Sequence, residues 1–229
     1  HGEGHSFPTR RSSDLWVIPY FNGDYRFDKP PLTYWWMRAH YWILEKSEIG
    51  ARLHSIVATL IVAFGIFGFG RRYFNARAAW LAAFAWLTCF QVFQHGRLAL
   101  ADMPMVAAVF FACWAMLELS KKDEPDDPQW RWFWVLYGSL GLGFLAKGPI
   151  ALAVPALALI LFRVAFWRQP LNWRRLRLLR GTLVILALIG AWGIPALVAT
   201  DGLFWEIGMG RHVIDRGVKA GADNARIVG

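Results

Sequence analysis

ARLHSIVATLIVAFGIFGFG, residues 51–70, carries its only formal charge at Arg52, and the rest is the kind of predominantly apolar run, about 20 residues long, that a bilayer-spanning helix needs. Further runs of the same character cover 78–93, 98–119, 132–146, 149–166 and 178–198, several of them short for a span. Together they predict an all-α fold: a polytopic transmembrane helical bundle of about six spans over residues 51–199.

Composition supports this class. The chain of 229 residues is 56% hydrophobic and carries 14 Trp, more apolar side chain than the interior of a soluble domain that size could house. The net charge of +9 does not imply a nucleic-acid partner, because the Arg residues cluster between apolar runs, as they do when basic residues orient spans in a membrane. Cys89 and Cys113 lie inside apolar runs and read as packing residues, without metal-ligand spacing or a disulfide framework. No P-loop, dinucleotide-binding glycine pattern or H-E-x-x-H occurs, so the sequence does not support nucleotide-driven transport or zinc proteolysis.

The connectors fall into two kinds. Residues 70–77 (GRRYFNAR) and 168–177 (RQPLNWRRLR) are basic, and 121–128 (KKDEPDDP) is mixed and turn-rich. The connectors that alternate with them, 94–102 and 147–149, are short and hold isolated charges. Basic bias places the first set in the cytoplasm and the second on the opposite face, where Asp28, Lys29, Arg97, Asp102 and Lys147 then converge. Residues 16–50 read as a non-cytoplasmic loop, in which the aromatic stretch 32–44, interrupted by Arg38 and His40, suits an interfacial helix. Residues 200–229 read as the start of a truncated non-cytoplasmic segment. Residues 1–15 (HGEGHSFPTRRSSDL) show neither span nor signal peptide and resemble a translated sequencing-adapter artefact, so they are set aside as a non-native leader.

Several of these charges have two readings each. Asp28-Lys29, held against Pro30-Pro31, is either an interfacial ion pair at a helix start or a site in which Lys29 holds a phosphate while Asp28 binds a metal or a substrate amine or hydroxyl. Asp102, before Met103-Pro104, suits a helix cap, yet intramembrane acids also mark substrate paths. Lys147, before Gly148-Pro149, is either a cation at a helix C-terminus or a lipid-phosphate ligand. His95 and His212 read first as packed or interfacial residues, and His212 is the better of the two as a metal ligand.

The order Phe27-Asp28-Lys29-Pro30-Pro31-Leu32-Thr33-Tyr34-Trp35, Ala51-Arg52-Leu53, Gly70-Arg71-Arg72, Gly96-Arg97 to Asp102, and Ala146-Lys147-Gly148-Pro149 resembles the GT-C membrane glycosyltransferases. Within them it is similar to the branch of protein mannosyltransferases and bacterial lipid A aminoarabinose transferases. The resemblance implies an inverting enzyme of the bacterial inner membrane. Its site would face the periplasm or cell exterior, among interfacial helices, and take a sugar from a polyprenyl-phosphate (undecaprenyl-phosphate) donor to a lipid A or protein acceptor. Carried over by motif, Asp28 and Asp102 are the catalytic acids, Lys29, Arg97 and Lys147 the donor-phosphate ligands, and a divalent metal ion is compatible with Asp28 and, more weakly, His212. The family's first span and early acidic motif would stand where residues 1–15 stand here, so the 229-residue chain alone is expected to be inactive and the full-length gene product active. A polyprenyl-lipid flippase or a non-catalytic membrane subunit is the alternative. Transporters tend to carry repeats and mid-membrane polar groups, whereas the charges here sit at span ends.

Overall fold

The structure, a computed structural model, describes residues 20–21, 24–25, 31–44, 47–121, 129–166 and 173–199. The chain divides into two compact units, His1–Pro31 with Gly190–Gly229, and Leu32–Ile189. In the first, β1 (Tyr20–Phe21) pairs antiparallel with β2 (Asp24–Tyr25), Tyr20 opposite Tyr25 and Phe21 opposite Asp24. Two paired residues on each side leave the fold class all-α, as expected; the intervening sequence, Asn22-Gly23, is the dipeptide that favours two-residue hairpins.

Everything described in the second unit is helix or short connection. It runs α1 (Leu32–Leu44), α2 (Glu48–Tyr73), α3 (Ala76–Thr88), α4 (Phe90–Gly96), α5 (Asp102–Leu119), α6 (Gln129–Lys147), α7 (Ile150–Ala165), α8 (Trp173–Leu176) and α9 (Leu178–Ala199), the last continuing into the first unit. Ser47 starts α2 by accepting the Gly50 amide on its hydroxyl at 3.1 Å, and Glu48 and Arg71-Arg72 complement the two ends of its dipole. Asn75 caps α3 in the same way through Ala78 at 2.9 Å. The basic connector expected over 70–77 therefore shrinks to Phe74-Asn75, because α2 carries Arg71 and Arg72 within its last turn.

Each expected apolar run contains a helix. Three helices, Glu48–Tyr73, Asp102–Leu119 and Arg174–Val198, are long and apolar enough to cross a membrane on their own, and Ile150–Ala165 is a shorter apolar helix. The run 78–93 is not one helix: Ala76–Thr88 and Phe90–Gly96 meet at Cys89 with a bend of 61°. Cys89 takes an extended conformation there, and the Thr88 hydroxyl donates to the Phe84 carbonyl at 2.9 Å. Large apolar side chains cover the outside, Phe64, Trp80, Phe84, Val164 and Leu179 among them, which in water would be an aggregating surface and in lipid is solvated. The chain is an integral membrane protein.

Helix α5 is the centre, packing on α2, α6 and α7. One core cluster joins Ala112, Ala115 and Leu119 of α5 to Leu136 and Tyr137 of α6 and to Leu176 of α8. A second joins Ala58 of α2, Val92 of α4 and Met103 of α5. At the C-terminal end of α5, Glu118 is 2% exposed, a position that would be prohibitive for a lone carboxylate. It accepts from Tyr73 Oη at 2.6 Å, Lys121 Nζ at 2.8 Å, Arg72 Nη2 at 3.0 Å and Trp114 Nε1 at 3.2 Å, tying the ends of α2 and α5 together. Burial is the largest single influence on Lys121, just beyond the helix, and would lower its pKa, but the hydrogen bonds and charges of Glu118 and Tyr73 together outweigh it and raise the pKa. Arg175 Nη1 donates to the Lys121 carbonyl at 2.7 Å and Tyr137 to the Leu176 carbonyl at 2.6 Å, which fastens α8 to the same end.

The α2–α3 approach depends on Gly70, where an added Cβ would lie 2.7 Å from the Ala79 Cα. At Gly68 the nearest atom would be the tip of Trp114 at 3.4 Å, ordinary contact. Gly70→Ala is therefore expected to destabilise the protein by about 1–3 kcal/mol in thermal unfolding in micelles, with Gly68→Ala nearly neutral. Equal effects would contradict this packing.

Candidate functional site

The opposite end of α5 begins at Asp102. Ala101 occupies the cap position and makes no side-chain cap bond, so Asp102 is the first helical residue and not the capping residue its sequence suggested. Its carboxylate instead accepts from the ammonium of Lys147, the last residue of α6. The positive end of the α5 dipole favours the carboxylate, the negative end of α6 favours the ammonium, and Pro104 fits a first turn whose amides lack helical partners.

Small residues bring these two helix ends together. An added Cβ at Gly143, one turn before Lys147, would lie 2.9 Å from the Ala151 Cβ and 3.1 Å from the Ala108 Cβ, so α5, α6 and α7 meet there at close range. Gly148 then turns the chain with φ +80°, a left-handed conformation suited to glycine, and its amide donates to the Phe144 carbonyl at 2.7 Å. Of the two sequence readings of Lys147, the geometry shows the first: it ends a helix before a glycine stop, with its ammonium on Asp102.

The connection between α4 and α5, residues 97–101, lies beside α2. Arg97 is exposed and places its guanidinium over the Phe93 ring, 4.7 Å from the centroid. Among the described residues no ion pair joins Arg97 to Asp102. His95 Nδ1 donates to the Gln91 carbonyl at 2.9 Å, a local bond within α4. Asp28, Lys29 and His212 lie outside the described residues. Among the described residues no three His, Cys, Asp or Glu side chains group as a metal site. Asp102 alone does not supply a ligand set.

Sequence reasoning missed two groups. Glu118 stands three residues before Lys121-Lys122-Asp123-Glu124, and a charge run normally reads as a solvated face. His54 and Ser55 stand inside the first apolar run, yet both are fully buried and bonded to the 97–101 connection.

The two polar clusters differ in kind. The side chains of Asp102 and Lys147 are 26% and 40% exposed, whereas Glu118 is closed off and satisfied from several directions. A double-mutant cycle of Asp102→Asn and Lys147→Met is expected to give a coupling below about 1 kcal/mol in unfolding, as for other exposed pairs. Glu118→Ala is expected to cost about 3 kcal/mol, because it leaves Arg72 and Lys121 facing each other without an anion. The reverse order would make Asp102–Lys147 a structural bridge.

Residues 28–194 match the family described as dolichyl-phosphate-mannose-protein mannosyltransferase. An undecaprenyl phosphate-alpha-4-amino-4-deoxy-L-arabinose arabinosyl transferase of Yersinia pestis (strain Pestoides F) is 31% identical over 146 residues, 63% of this chain and 26% of that protein. The transferase of the same name from Edwardsiella ictaluri (strain 93-146) is 28% identical over 155 residues, 67% of this chain and 28% of its own. Among solved structures, ArnT from Cupriavidus metallidurans bound to undecaprenyl phosphate matches 88% of this chain with a TM-score of 0.79 and 25% identity, over 37% of its own length. Its apo state matches 85% of this chain with a TM-score of 0.77 and 26% identity, over 36% of its length. This chain thus spans well under half the length of the relatives it matches.

Proposed function

This chain belongs to the dolichyl-phosphate-mannose-protein mannosyltransferase family, and we propose that the gene product carrying it moves a sugar from a polyprenyl-phosphate donor to a lipid A or protein acceptor. The reaction would take place at the non-cytoplasmic face of the bacterial inner membrane. The observation that carries this reading is the helical match, over 88% of the chain, to a relative solved with undecaprenyl phosphate. The names of the curated relatives make undecaprenyl-phosphate-linked 4-amino-4-deoxy-L-arabinose the first donor to test.

When the bond from the anomeric carbon to phosphate breaks, negative charge grows on the departing polyprenyl phosphate. Cations aimed at that charge stabilise the transition state more than the ground state. Lys147 is such a cation, already placed at a helix tip by Asp102. In this reading the donor phosphate becomes a second anionic partner for Lys147, and Lys29 and Arg97 supply further positive charge. Asp102, partly released, can then accept the proton of an acceptor hydroxyl, whereas an ionised acceptor phosphate needs no base. Direct attack by the acceptor inverts the anomeric carbon. The flippase alternative is disfavoured by the relatives, which are named as transferases.

The test is sugar transfer by the whole gene product in proteoliposomes supplied with that donor and lipid A. Lys147→Ala and Asp102→Asn are each expected to lower the transfer rate about 100-fold while leaving expression unchanged. Full activity in both would remove the site, and carrier flipping without acceptor in place of transfer would favour the transporter.

A further inference from the structure

His54 and Ser55 are adjacent in α2, and each is 0% exposed. Polar groups at such positions are costly unless bonded, and the bonds these two make cross to another part of the chain. His54 Nε2 donates to the Leu100 carbonyl at 3.0 Å. Ser55 Oγ donates to the Leu98 carbonyl at 2.7 Å, with the Leu100 carbonyl 3.2 Å away. Three other hydroxyls, in helices or at a helix end, take the usual local bond to the carbonyl four residues earlier: Thr59 to Ser55 at 2.8 Å, Thr88 to Phe84 at 2.9 Å, and Ser120 to Met116 at 2.6 Å. Ser55 instead reaches 43 residues along the chain.

His54 makes its bond from a fully buried imidazole. A leucine there would pack without ring nitrogens to satisfy, so packing alone does not account for a histidine.

What these side chains hold is the short connection between Arg97 and Asp102. Its own backbone bonds are few: Arg97 to Gln94 and Leu98 to His95, both at 3.3 Å, Leu100 to Leu98 at 2.9 Å, and the Met105 amide to the Ala101 carbonyl at 3.1 Å. Its start is also pressed onto α2, since an added Cβ at Gly96 would lie 2.9 Å from Thr59 Oγ1. We propose that His54 and Ser55 are positioning residues: by donating to the Leu98 and Leu100 carbonyls they hold the connection in one shape, and so set where Arg97 and Asp102 stand relative to Lys147 and a phosphorylated lipid donor. This role rests on the transferase reading of that helix end. Misplacement of a reacting group by about 1 Å is enough to cost two orders of magnitude in rate, so two buried hydrogen bonds remote from the chemistry can govern turnover.

The experiment uses the whole gene product in lipid nanodiscs, comparing the parent with His54→Phe, Ser55→Ala, the double variant and His54→Gln, whose side-chain amide can still donate to Leu100. Three quantities are read: kcat and KM for transfer from undecaprenyl-phosphate-linked aminoarabinose, amide hydrogen exchange over residues 98–101, and the thermal midpoint. The double variant is expected to lose at least tenfold in kcat with KM for the acceptor within twofold, to exchange at least tenfold faster over 98–101, and to melt within a few degrees of the parent. His54→Gln is expected to recover most of the kcat lost in His54→Phe. A parent that transfers sugar beside a double variant of equal kcat overturns the positioning role and leaves the transferase reading intact. A parent that transfers nothing sinks the transferase reading; exchange then decides the hydrogen-bond restraint, faster rates in the double variant upholding it and unchanged rates overturning it.

Discussion

A helix surrounded by hydrocarbon can carry charge only at its ends or against a partner, and α5 satisfies both conditions. Its 18 residues span about 27 Å at 1.5 Å per residue, close to the thickness of a bilayer's apolar core. Asp102 opens it and Glu118 nearly closes it, and each carboxylate has a cationic partner from another helix, Lys147 and Arg72. The residues between are apolar, with small ones such as Ala108, Ala112 and Ala115 where neighbouring helices come close. Helices α2, α4, α6, α7 and α8 pack against that rod.

The two ends are built to different rules. At the Glu118 end the carboxylate is sealed and its lone pairs are occupied by Arg72, Tyr73, Trp114 and Lys121, an arrangement that fixes helix against helix and leaves no capacity for a ligand. At the Asp102 end the ion pair is half open to its surroundings, the connecting segment is held by its carbonyls, and the exposed Arg97 side chain rests on the Phe93 ring. Rigid backbone beneath exchangeable charge suits a site that must exchange one anionic partner for another.

Much of this was legible in the sequence. The apolar runs located every long helix, because a span of about 20 apolar residues has few other readings. The isolated charges Arg97, Asp102 and Lys147 stood apart from the basic clusters, which marked their end of the bundle before any contact was known. The pairing of Asp102 with Lys147 was not legible, since residues 45 apart give no local signal of contact, and Asp102 looked like a cap. The bend at Cys89 was hidden for a similar reason: Leu87-Thr88-Cys89-Phe90 contains neither Gly nor Pro, and the break is accommodated by a threonine hydroxyl and by the Trp86 indole donating to Thr59 of α2 at 3.1 Å. His54 and Ser55 read as incidental polarity in an apolar run; only the carbonyls they meet give them a purpose. Asn22-Gly23 was a readable turn signal overshadowed by the charged motif just after it.

Binding of a polyprenyl carrier's phosphate at the Lys147–Asp102 helix ends is tested most directly by a cryo-electron microscopy structure of the whole gene product with undecaprenyl phosphate. Phosphate oxygens are expected within about 4 Å of Lys147 Nζ, the salt-bridge range, with the Asp102 carboxylate drawn away or sharing the ammonium. Phosphate bound elsewhere, with the Asp102–Lys147 pair unchanged, would contradict it.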